Sequence, residues 1–501
     1  MAMKTCLDIM SEFIDKRVNI YVNRLKELVA IPSISEDASH RLDVLKALRW
    51  CGIRLKNLGF EVCYRKVGKE IIYEGDQIPM KPTGVANLPP IICASLGHDQ
   101  NKPTLLIYGH VDVKPVSPLE SWKADPFDLT IIEGFMYGRG VADDKGPVVG
   151  WINAIDAYVQ CKEEMPVNIR FLIEGSEETG SEGLRELLHE MRRDFLKDVD
   201  YVAISDNYWL NMNTPCLTYG LRGVIYFHIF VDGSNRDLHS GSHGGAVQEP
   251  LADLQALMNS LVNFKGDIMV PRILDAVREP EEGELKRFET LDFNPTKYGA
   301  QIETKALHTQ EKVEILVRRW LLPAISFHGI EKSFDKVGSP TLIPKSVVGK
   351  FSIRLVPDQE PNIIIRQVVD YLHKVHLRRC SRNKIKIKVF RDGRPFLGDL
   401  SCSNYKTACL ALTYVWNKTP DLIRDGASIS MANILREQTG QDVVLIPMAE
   451  CQSFAHEGDE RMSVRNYING IKVFATYMAK LRSLKSNCVM PKSYRNCQEQ
   501  I

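Results

Sequence analysis

The stretch 105–146 carries residues whose types and spacing could bind metal ions. It begins with LLIY, an apolar run typical of a strand buried in a parallel sheet, and His110 and Asp112 follow. Two residues apart in an extended chain, these side chains point to the same side, where the carboxylate can orient the imidazole towards a metal. A lone His-x-Asp can equally be a satisfied polar pair at a strand end. Acids after neighbouring strands would favour the metal site.

Such acids, and a second histidine, follow further strand-like or glycine-rich segments. In chain order they are Asp143, Glu177, Glu178, Asp206 and His456. Polar residues at the carboxyl ends of several strands are where open α/β sheets bind ligands. The glutamate pair can also simply begin a solvated helix that Ser176 caps. Two histidines and several carboxylates without cysteine favour catalytic Zn²⁺, Mn²⁺ or Co²⁺ over a structural zinc.

The elements that must position these residues alternate between strand-like and helical patterns. Helical segments at 145–160 and 181–197 separate the first strands, which predicts an α/β fold with a mostly parallel sheet. After Asp206 the order becomes β-α-β-β-α-β, the split order of a ferredoxin-like unit, apart from a charged insertion at about 265–320. The chain then returns to the first domain through more helices, one of them at 428–439.

The composition limits the classes of partner and the compartment. The 501 residues are 44% hydrophobic and 25% charged, which is ordinary for a globular protein of two or three domains. A net charge of +1 offers no general attraction for nucleic acid or an anionic membrane. No apolar run suits a signal peptide or a membrane span. Twelve scattered cysteines without CxxC pairs are typical of reduced thiols, so we expect a cytoplasmic protein.

Several motifs together resemble one protein family. YGHVDVKP, GRGVADDKGP, EGSEETGSEG, ISDNYW, DLHSG and AHEGD are similar, in order and spacing, to the carnosinase branch of the di-metal aminoacylase and carboxypeptidase peptidases, and most similar to its cytosolic non-specific dipeptidases. The resemblance implies a mostly parallel-sheet catalytic domain with an inserted α+β ferredoxin-like lid and dimerisation domain. The expected bounds are 1–216 and 399–486 for the catalytic domain, 217–398 for the lid, and 487–501 for a mobile tail.

The resemblance also implies a role for each candidate at the metal site. His110 and Asp206 would hold one divalent ion, Glu178 and His456 the other, and Asp143 would bridge the two ions, which would be Mn²⁺ or Zn²⁺. Two cations roughly 3.5 to 4 Å apart can activate a bridging water as a nucleophile.

The same resemblance, and not the sequence alone, separates the roles of the two adjacent glutamates. Glu177 would be the general base, and Asp112 would orient His110. A cis peptide between Asp143 and Asp144 would aim the bridging carboxylate.

Four residues further along the chain match family positions that bind substrate. His239 in DLHSG would reach into the neighbouring subunit and stabilise the oxyanion, although a lone histidine is more often an ordinary core or surface residue. Arg354, with Thr341 and Ser428, would hold the free carboxylate of a dipeptide, because a guanidinium pairs bidentately with a carboxylate. Ser428 also marks a predicted helix start, whose amides favour anions. Thr341 and Ser428 could instead simply cap a turn or a helix.

The expected activity is metal-dependent hydrolysis of unblocked dipeptides of broad sequence by a homodimer. Arg391 replaces a histidine that lines the substrate pocket in the family, and Ala427 replaces a glycine, so the substrate range is open. One alternative is a related hydrolase that acts on N-acyl amino acids or modified dipeptides. Another is a dimeric binding protein without catalysis, against which the complete set of ligands and base argues.

Overall fold

The structure is a computed structural model that describes residues 5–74, 81–334, 338 and 340–485. The predicted tail and the side chain of Arg391 lie outside what it describes. The helices are α1 Cys6–Asp15, α2 Val18–Val29, α3 Arg41–Asn57, α4 Lys145–Cys161, α5 Leu184–Glu190, α6 Ser240–His243, α7 Pro250–Ser260, α8 Glu282–Thr290, α9 Pro295–Gln301, α10 Lys312–Trp320, α11 Pro361–Arg378, α12 Ser403–Trp416, α13 Ser430–Thr439 and α14 Val464–Lys485. Among the described residues, every helix is too short or too polar to cross a lipid bilayer.

The strands fall into two main sheets and three small ones. They are β1 Glu61–Arg65, β2 Lys69–Glu74, β3 Lys81–Asn87, β4 Ile91–Leu96, β5 Thr104–His110, β6 Thr130–Ile132, β7 Phe135–Tyr137, β8 Asn168–Glu174, β9 Tyr201–Ile204, β10 Cys216–Leu221, β11 Gly223–Asp232, β12 Leu238–His239, β13 Ala324–Glu331, β14 Leu342–Ile343, β15 Ser346–Leu355, β16 Lys384–Gly393, β17 Phe396–Leu397, β18 Asp421–Asp425, β19 Val443–Leu445 and β20 Arg461–Ser463.

The larger sheet forms the catalytic domain, and its central strands run parallel. The strand order is β1-β4-β8-β5-β9-β19-β10-β17, and β18 also pairs with β10. Neighbours among β8, β5, β9 and β19 pair in parallel, whereas the strands outside them join through antiparallel pairs, apart from β18. The predicted α/β fold with a mostly parallel central sheet is confirmed. Its parallel strands bring their carboxyl ends to one edge.

The strand β5 lies at the centre of this sheet because its side chains are apolar on both faces. Leu105 and Ile107 pack into the core on one face, and Leu106 and Tyr108 pack into the core on the other. Helices α1 to α4, α12 and α14 cover the first face, and α5 and α13 cover the second. A strand covered on both faces needs such a continuous apolar run. This burial fixes the position of the polar residues that end the strand.

The second sheet forms the lid domain and has the predicted ferredoxin-like order. Its elements follow the chain as β11, α7, β13, β15, α11 and β16. The four strands are antiparallel in the order β13-β15-β11-β16, and both helices pack against one face. Ile225, Phe227 and Ile229 of β11 are buried in that core, whereas the intervening Tyr226 and His228 are only half-buried. This alternation has the period of two that a sheet covered on one face requires.

The insertion between α7 and β13 packs against the catalytic domain. Phe288 of α8 and Trp320 of α10 meet edge to face, with ring centroids 5.2 Å apart, and share a core with Trp209 and Ile423. Strands β10 and β17 are also part of the larger sheet. The predicted lid range 217–398 therefore contains segments that belong structurally with the catalytic domain.

Two helices begin later than the sequence predicts. Ser181 and Gly183 have φ angles of 52° and 76°, in the left-handed region, so the helix predicted from residue 181 begins at Leu184. It ends at Glu190, well before the predicted residue 197, and one 3₁₀ turn follows. The helix predicted from Ser428 begins at Ser430, because the capping residue Ile429 is extended.

We predict that Gly109→Ala destabilises the junction between β5 and α4. A Cβ atom at Gly109 would lie 2.5 Å from Cγ2 of Val148 and 2.6 Å from Oδ2 of Asp144, both of them buried. Overpacking of this kind costs about 1 to 3 kcal/mol, so the urea midpoint should fall. Gly283→Ala is the control, because its added Cβ meets nothing within 4 Å. Equal midpoints for the two variants would contradict the prediction.

Candidate metal centre

Neighbouring strands deliver metal-binding side chains to one edge of the larger sheet. His110 ends β5, Asp206 follows β9 by two residues, and Glu178 lies on the turn after β8. Since β8, β5 and β9 are adjacent and parallel, these residues meet at the carboxyl edge. His456 lies in the loop after β19, and Asp143 lies just before α4. The structure therefore brings all five predicted ligands together.

Two groups of potential ligands share one carboxylate. His110, Asp143 and Asp206 form one group, Asp143, Glu178 and His456 form the other, and the ligand atoms of each group lie within 4.8 Å of one another. Nε2 of His110 is 3.1 Å from Oδ1 of Asp143, and Nε2 of His456 is 3.0 Å from Oδ2. The two oxygens of one carboxylate thus face two histidines. This nitrogen and oxygen donor set fits catalytic divalent metal ions.

The carboxylates make this edge strongly attractive to positive charge. Burial opposes protonation of His456, but hydrogen bonds to Asp143 and Glu178 outweigh it and raise the pKa to about 11. Burial raises the pKa of Glu178 to about 7, and the charge of Asp143 adds to that shift. Burial also opposes ionisation of Asp143, yet hydrogen bonds from both histidines hold its pKa well below the ordinary value. Buried carboxylates need such compensation, which cations supply.

Asp112 links the end of β5 to the turn that carries the two glutamates. Its Oδ1 accepts a hydrogen bond from the backbone N–H of Glu177 at 3.2 Å, and its Oδ2 accepts one from that of Glu178 at 3.1 Å. Nδ1 of His110 lies 3.1 Å from the carbonyl oxygen of Asp112 and 3.4 Å from Oδ1. Asp112 lies beside the imidazole as expected, and it also holds the glutamate turn.

Glu177 lies at the centre but belongs to neither ligand group formed by the described residues. Its side chain is only 9% exposed. Burial is the main reason that the pKa of Asp206 is raised, and the charges of Asp143 and Glu177 add to it. A carboxylate close to the ligands, but outside both groups, is a candidate for a general base.

Asp144 and Tyr208 also make contacts at this centre that were not predicted from the sequence. Oδ2 of Asp144 accepts a hydrogen bond from the backbone N–H of His110 at 3.2 Å. The peptide bond between Asp143 and Asp144 is cis, as predicted. The hydroxyl of Tyr208 donates to Oδ2 of Asp143 at 3.0 Å. Its position two residues after Asp206, at a strand end, was the available signal, but tyrosines are common in ordinary cores.

Arg354 and Ser428 meet at a positively charged position where the lid reaches the catalytic domain. Nη1 of Arg354 donates to Oγ of Ser428 at 2.8 Å, and that hydroxyl donates to the carbonyl oxygen of Arg222 at 2.5 Å. Burial, followed by the charges of Arg354 and Arg319, lowers the pKa of Arg222 to about 10. The structure thus joins two of the predicted carboxylate-binding residues in a cationic environment.

His239 and Thr341 lie together on the lid, because His239 ends β12 and Thr341 directly precedes β14, the partner strand of β12 in a small ribbon. Both residues are exposed, and the backbone N–H of Ser240 donates to the carbonyl oxygen of Thr341 at 3.0 Å. Nδ1 of His239 accepts hydrogen bonds from the backbone N–H groups of Gly241 and Ser242 at 3.1 and 3.3 Å. The proton of the neutral ring is therefore on Nε2, which is directed away from these two amides. In the single chain this imidazole faces solvent.

The protein family of this chain can be identified by comparison with known families. The model of Peptidase family M20/M25/M40 matches residues 106–480, which includes every predicted ligand and the lid. The chain belongs to this family. It is accordingly a metallopeptidase, and its two groups of histidine and carboxylate side chains could hold the divalent metal ions that this class of enzyme uses.

Relatives of similar length differ in the dipeptide for which they are named. Beta-Ala-His dipeptidase of Mus musculus is 37% identical over 97% of this chain and 98% of its own length. Cys-Gly metallodipeptidase DUG1 of Candida albicans is 39% identical over 91% of this chain and 94% of its own length. The crystal structure of human carnosine dipeptidase 1 superposes with a TM-score of 0.88 at 36% identity, covering 96% of this chain and 99% of that one. The whole architecture is thus shared with metallodipeptidases.

Proposed function

We propose that this protein is a homodimeric dipeptidase that uses two divalent ions, Mn²⁺ or Zn²⁺, to hydrolyse dipeptides with free termini. The observation that carries the proposal is the sharing of Asp143 by two ligand groups, with Glu177 beside them and outside both. A cytoplasmic location is part of the proposal, because the ten described cysteines are free thiols.

The proposed substrate class follows from the positive charges around Arg354 and Ser428. A carboxylate at the free end of a short peptide suits the contact between Arg354 and Ser428, which lies next to the half-buried guanidinium of Arg222. The relatives named for Beta-Ala-His and for Cys-Gly have almost the same identity to this chain. We therefore propose that the backbone termini, rather than particular side chains, determine recognition.

The side chains of this protein have two roles in the proposed reaction, which are proton transfer and charge stabilisation. When two divalent ions are bound by the two groups, they supply an activated water and polarise the scissile carbonyl. Glu177 removes the proton of the attacking water and then passes it to the leaving amine. The carboxylate of Asp112 accepts a hydrogen bond from the backbone N–H of Glu177 and so keeps Glu177 in place during both transfers. A proton donor aimed at the developing oxyanion completes the set, and Nε2–H of His239 is the proposed donor.

The exposed position of His239 supports a shared active site. The ring lies on the lid ribbon and faces solvent in the single chain, whereas His110 and Asp112 at the metal centre are buried. A second copy of the chain, related by a two-fold axis, can receive this ring at its own centre. The exposed ring therefore supports the proposed homodimer, in which the oxyanion donor would come from the partner.

We predict that activity depends on metal ions and on Glu177. Chelation should abolish dipeptide cleavage, and added Mn²⁺ or Zn²⁺ should restore it. Glu177→Gln should still bind metal but turn over at least ~10²-fold more slowly, because an amide cannot take a proton. Glu182→Gln, in the exposed part of the same loop, is the control and should keep normal turnover. Near-normal turnover by Glu177→Gln would exclude its role as the base.

We also predict that Arg354 selects a free carboxyl terminus. Arg354→Ala should reduce the preference of kcat/KM for a dipeptide over its amide by roughly 2 to 4 kcal/mol, the usual cost when a desolvated charge pair loses one partner. Arg366→Ala, on the exposed side of α11, should leave the preference unchanged. Equal wild-type rates on the dipeptide and its amide would contradict the carboxylate site. Faster cleavage of the N-acetylated dipeptide would identify an N-acyl amino acid hydrolase instead.

A third prediction concerns the shared site. Pure His239→Ala and pure Glu177→Gln should each be nearly inactive. In a mixed dimer the His239→Ala chain keeps Glu177 and receives His239 from its partner, so one of the two sites is complete. With random reassociation about half of the dimers are mixed, and activity should recover to roughly a quarter of the wild-type value. Exchange of subunits is first verified with tagged and untagged chains. Proven exchange without recovery would contradict the shared site.

A further inference from the structure

Glu460 is a buried carboxylate on the loop that follows β19, and both of its oxygens hold the segment before α4. Its Oε2 accepts hydrogen bonds from the backbone N–H of Gly140 at 2.9 Å and from Nη1 of Arg139 at 3.1 Å. Its Oε1 accepts from the backbone N–H groups of Ala142 at 3.0 Å and Asp143 at 3.2 Å. The residue is 1% exposed. The side chain of Glu460 therefore fixes the backbone from Gly140 to Asp143, the residue that the two ligand groups share.

The contacts of Glu460 also join the two loops on which the second ligand group depends. His456 lies four residues earlier in the same loop. The backbone N–H of Gly138 donates to the carbonyl oxygen of Glu460 at 3.0 Å, and Nη1 of Arg139 donates to that of Glu457 at 3.2 Å. The loop with the second histidine and the segment with the shared aspartate are therefore held as one unit, although they are more than 300 residues apart in the chain.

The geometry of these contacts requires a hydrogen-bond acceptor at both ends of the side chain. Each oxygen of Glu460 receives two N–H donors, and a carboxylate is the side-chain group that offers acceptors at both ends and no donor. In glutamine one end is an NH₂ group, which would face two N–H donors in either orientation. An isosteric amide therefore breaks one pair of contacts whichever way it is turned.

Arg139 is itself held by Glu120 and Trp122. Its Nη2 donates to Oε2 of Glu120 at 2.8 Å, and its guanidinium lies 5.2 Å from the ring centroid of Trp122, whose Nε1 donates to the same oxygen at 3.0 Å. A buried ion pair contributes little net stability compared with apolar residues of the same shape, but it specifies position well. The arrangement is suited to holding a loop in one conformation.

We propose that Glu460 is a positioning residue that holds Asp143 between the two ligand groups and aligns it with the loop of His456. This inference rests on the proposed use of two divalent ions. It assigns Glu460 no contact with substrate. Loss of its carboxylate should lower the affinity of the centre for metal ions, because the shared ligand would no longer be preorganised.

The test measures metal binding directly and independently of catalysis. Mn²⁺ is titrated calorimetrically into chelator-treated wild type and Glu460→Gln, after circular dichroism has shown that both are folded. Loss of a supporting contact to a metal ligand typically weakens affinity 10- to 100-fold, so we expect a loss of that size. Glu450→Gln is the matched control and should bind Mn²⁺ like wild type. Glu450 is also buried on this loop, but its Oε1 accepts from Ser463 and its Oε2 has no hydrogen-bond partner among the described residues.

The outcomes separate this inference from the proposed function. Wild-type affinity in Glu460→Gln, or an equal loss in Glu450→Gln, would overturn the positioning role. If Glu460→Gln does not fold, Arg139→Lys provides the test, since it keeps the charge and the three backbone contacts of Glu460. Arg139→Lys should lose about tenfold in affinity, and unchanged affinity would overturn the proposal. A wild type that binds two ions but cleaves no dipeptide would contradict the proposed function alone, whereas one that binds no Mn²⁺ would contradict both.

Discussion

The concentration of negative charge at a buried sheet edge is the constraint on which the rest of the structure depends. Asp112, Asp143, Asp144, Glu177, Glu178 and Asp206 lie close together there with little access to water. Carboxylates in such a place must be neutralised, hydrogen-bonded or paired with cations. In the structure, burial raises the pKa of Glu178, backbone N–H groups donate to Asp112, and the two histidines face Asp143. A centre of this kind gains more from divalent cations than from any side chain.

Rigid strands and loops contribute to this edge in different ways. The backbone of His110 is positioned by β5, because the apolar strand is buried on both faces. Asp143 and His456 lie on loops, where no sheet ladder fixes the backbone, and polar contacts take over that task. The buried ion pair of Arg139 and Glu460 is one such contact. Loss of supporting groups of this type typically weakens metal affinity or activity 10- to 100-fold.

The features that could be predicted from the sequence are those that depend on a strand and on the residues at its end. His110 and Asp206 could be placed because parallel strands end at one edge, and the order of strand-like and helical segments after Asp206 predicted the ferredoxin-like lid. Glu460 could not be found in this way, since nothing in a loop sequence distinguishes a solvated glutamate from one that receives four buried donors. The late start of α5 depends on the backbone at Ser181, where a left-handed conformation overrides a helical pattern.

The helical insertion α8 to α10 changes how the lid is attached to the rest of the molecule. A domain inserted once into another is joined by two connections and can swing about the axis through them. Here the chain leaves the lid after α7, packs Phe288 and Trp320 against the catalytic domain, and enters the lid again at β13. Four crossings therefore join the two domains, and any rotation of the lid must bend all four together. The lid ribbon that carries His239 is therefore held by four connections to the catalytic domain rather than two.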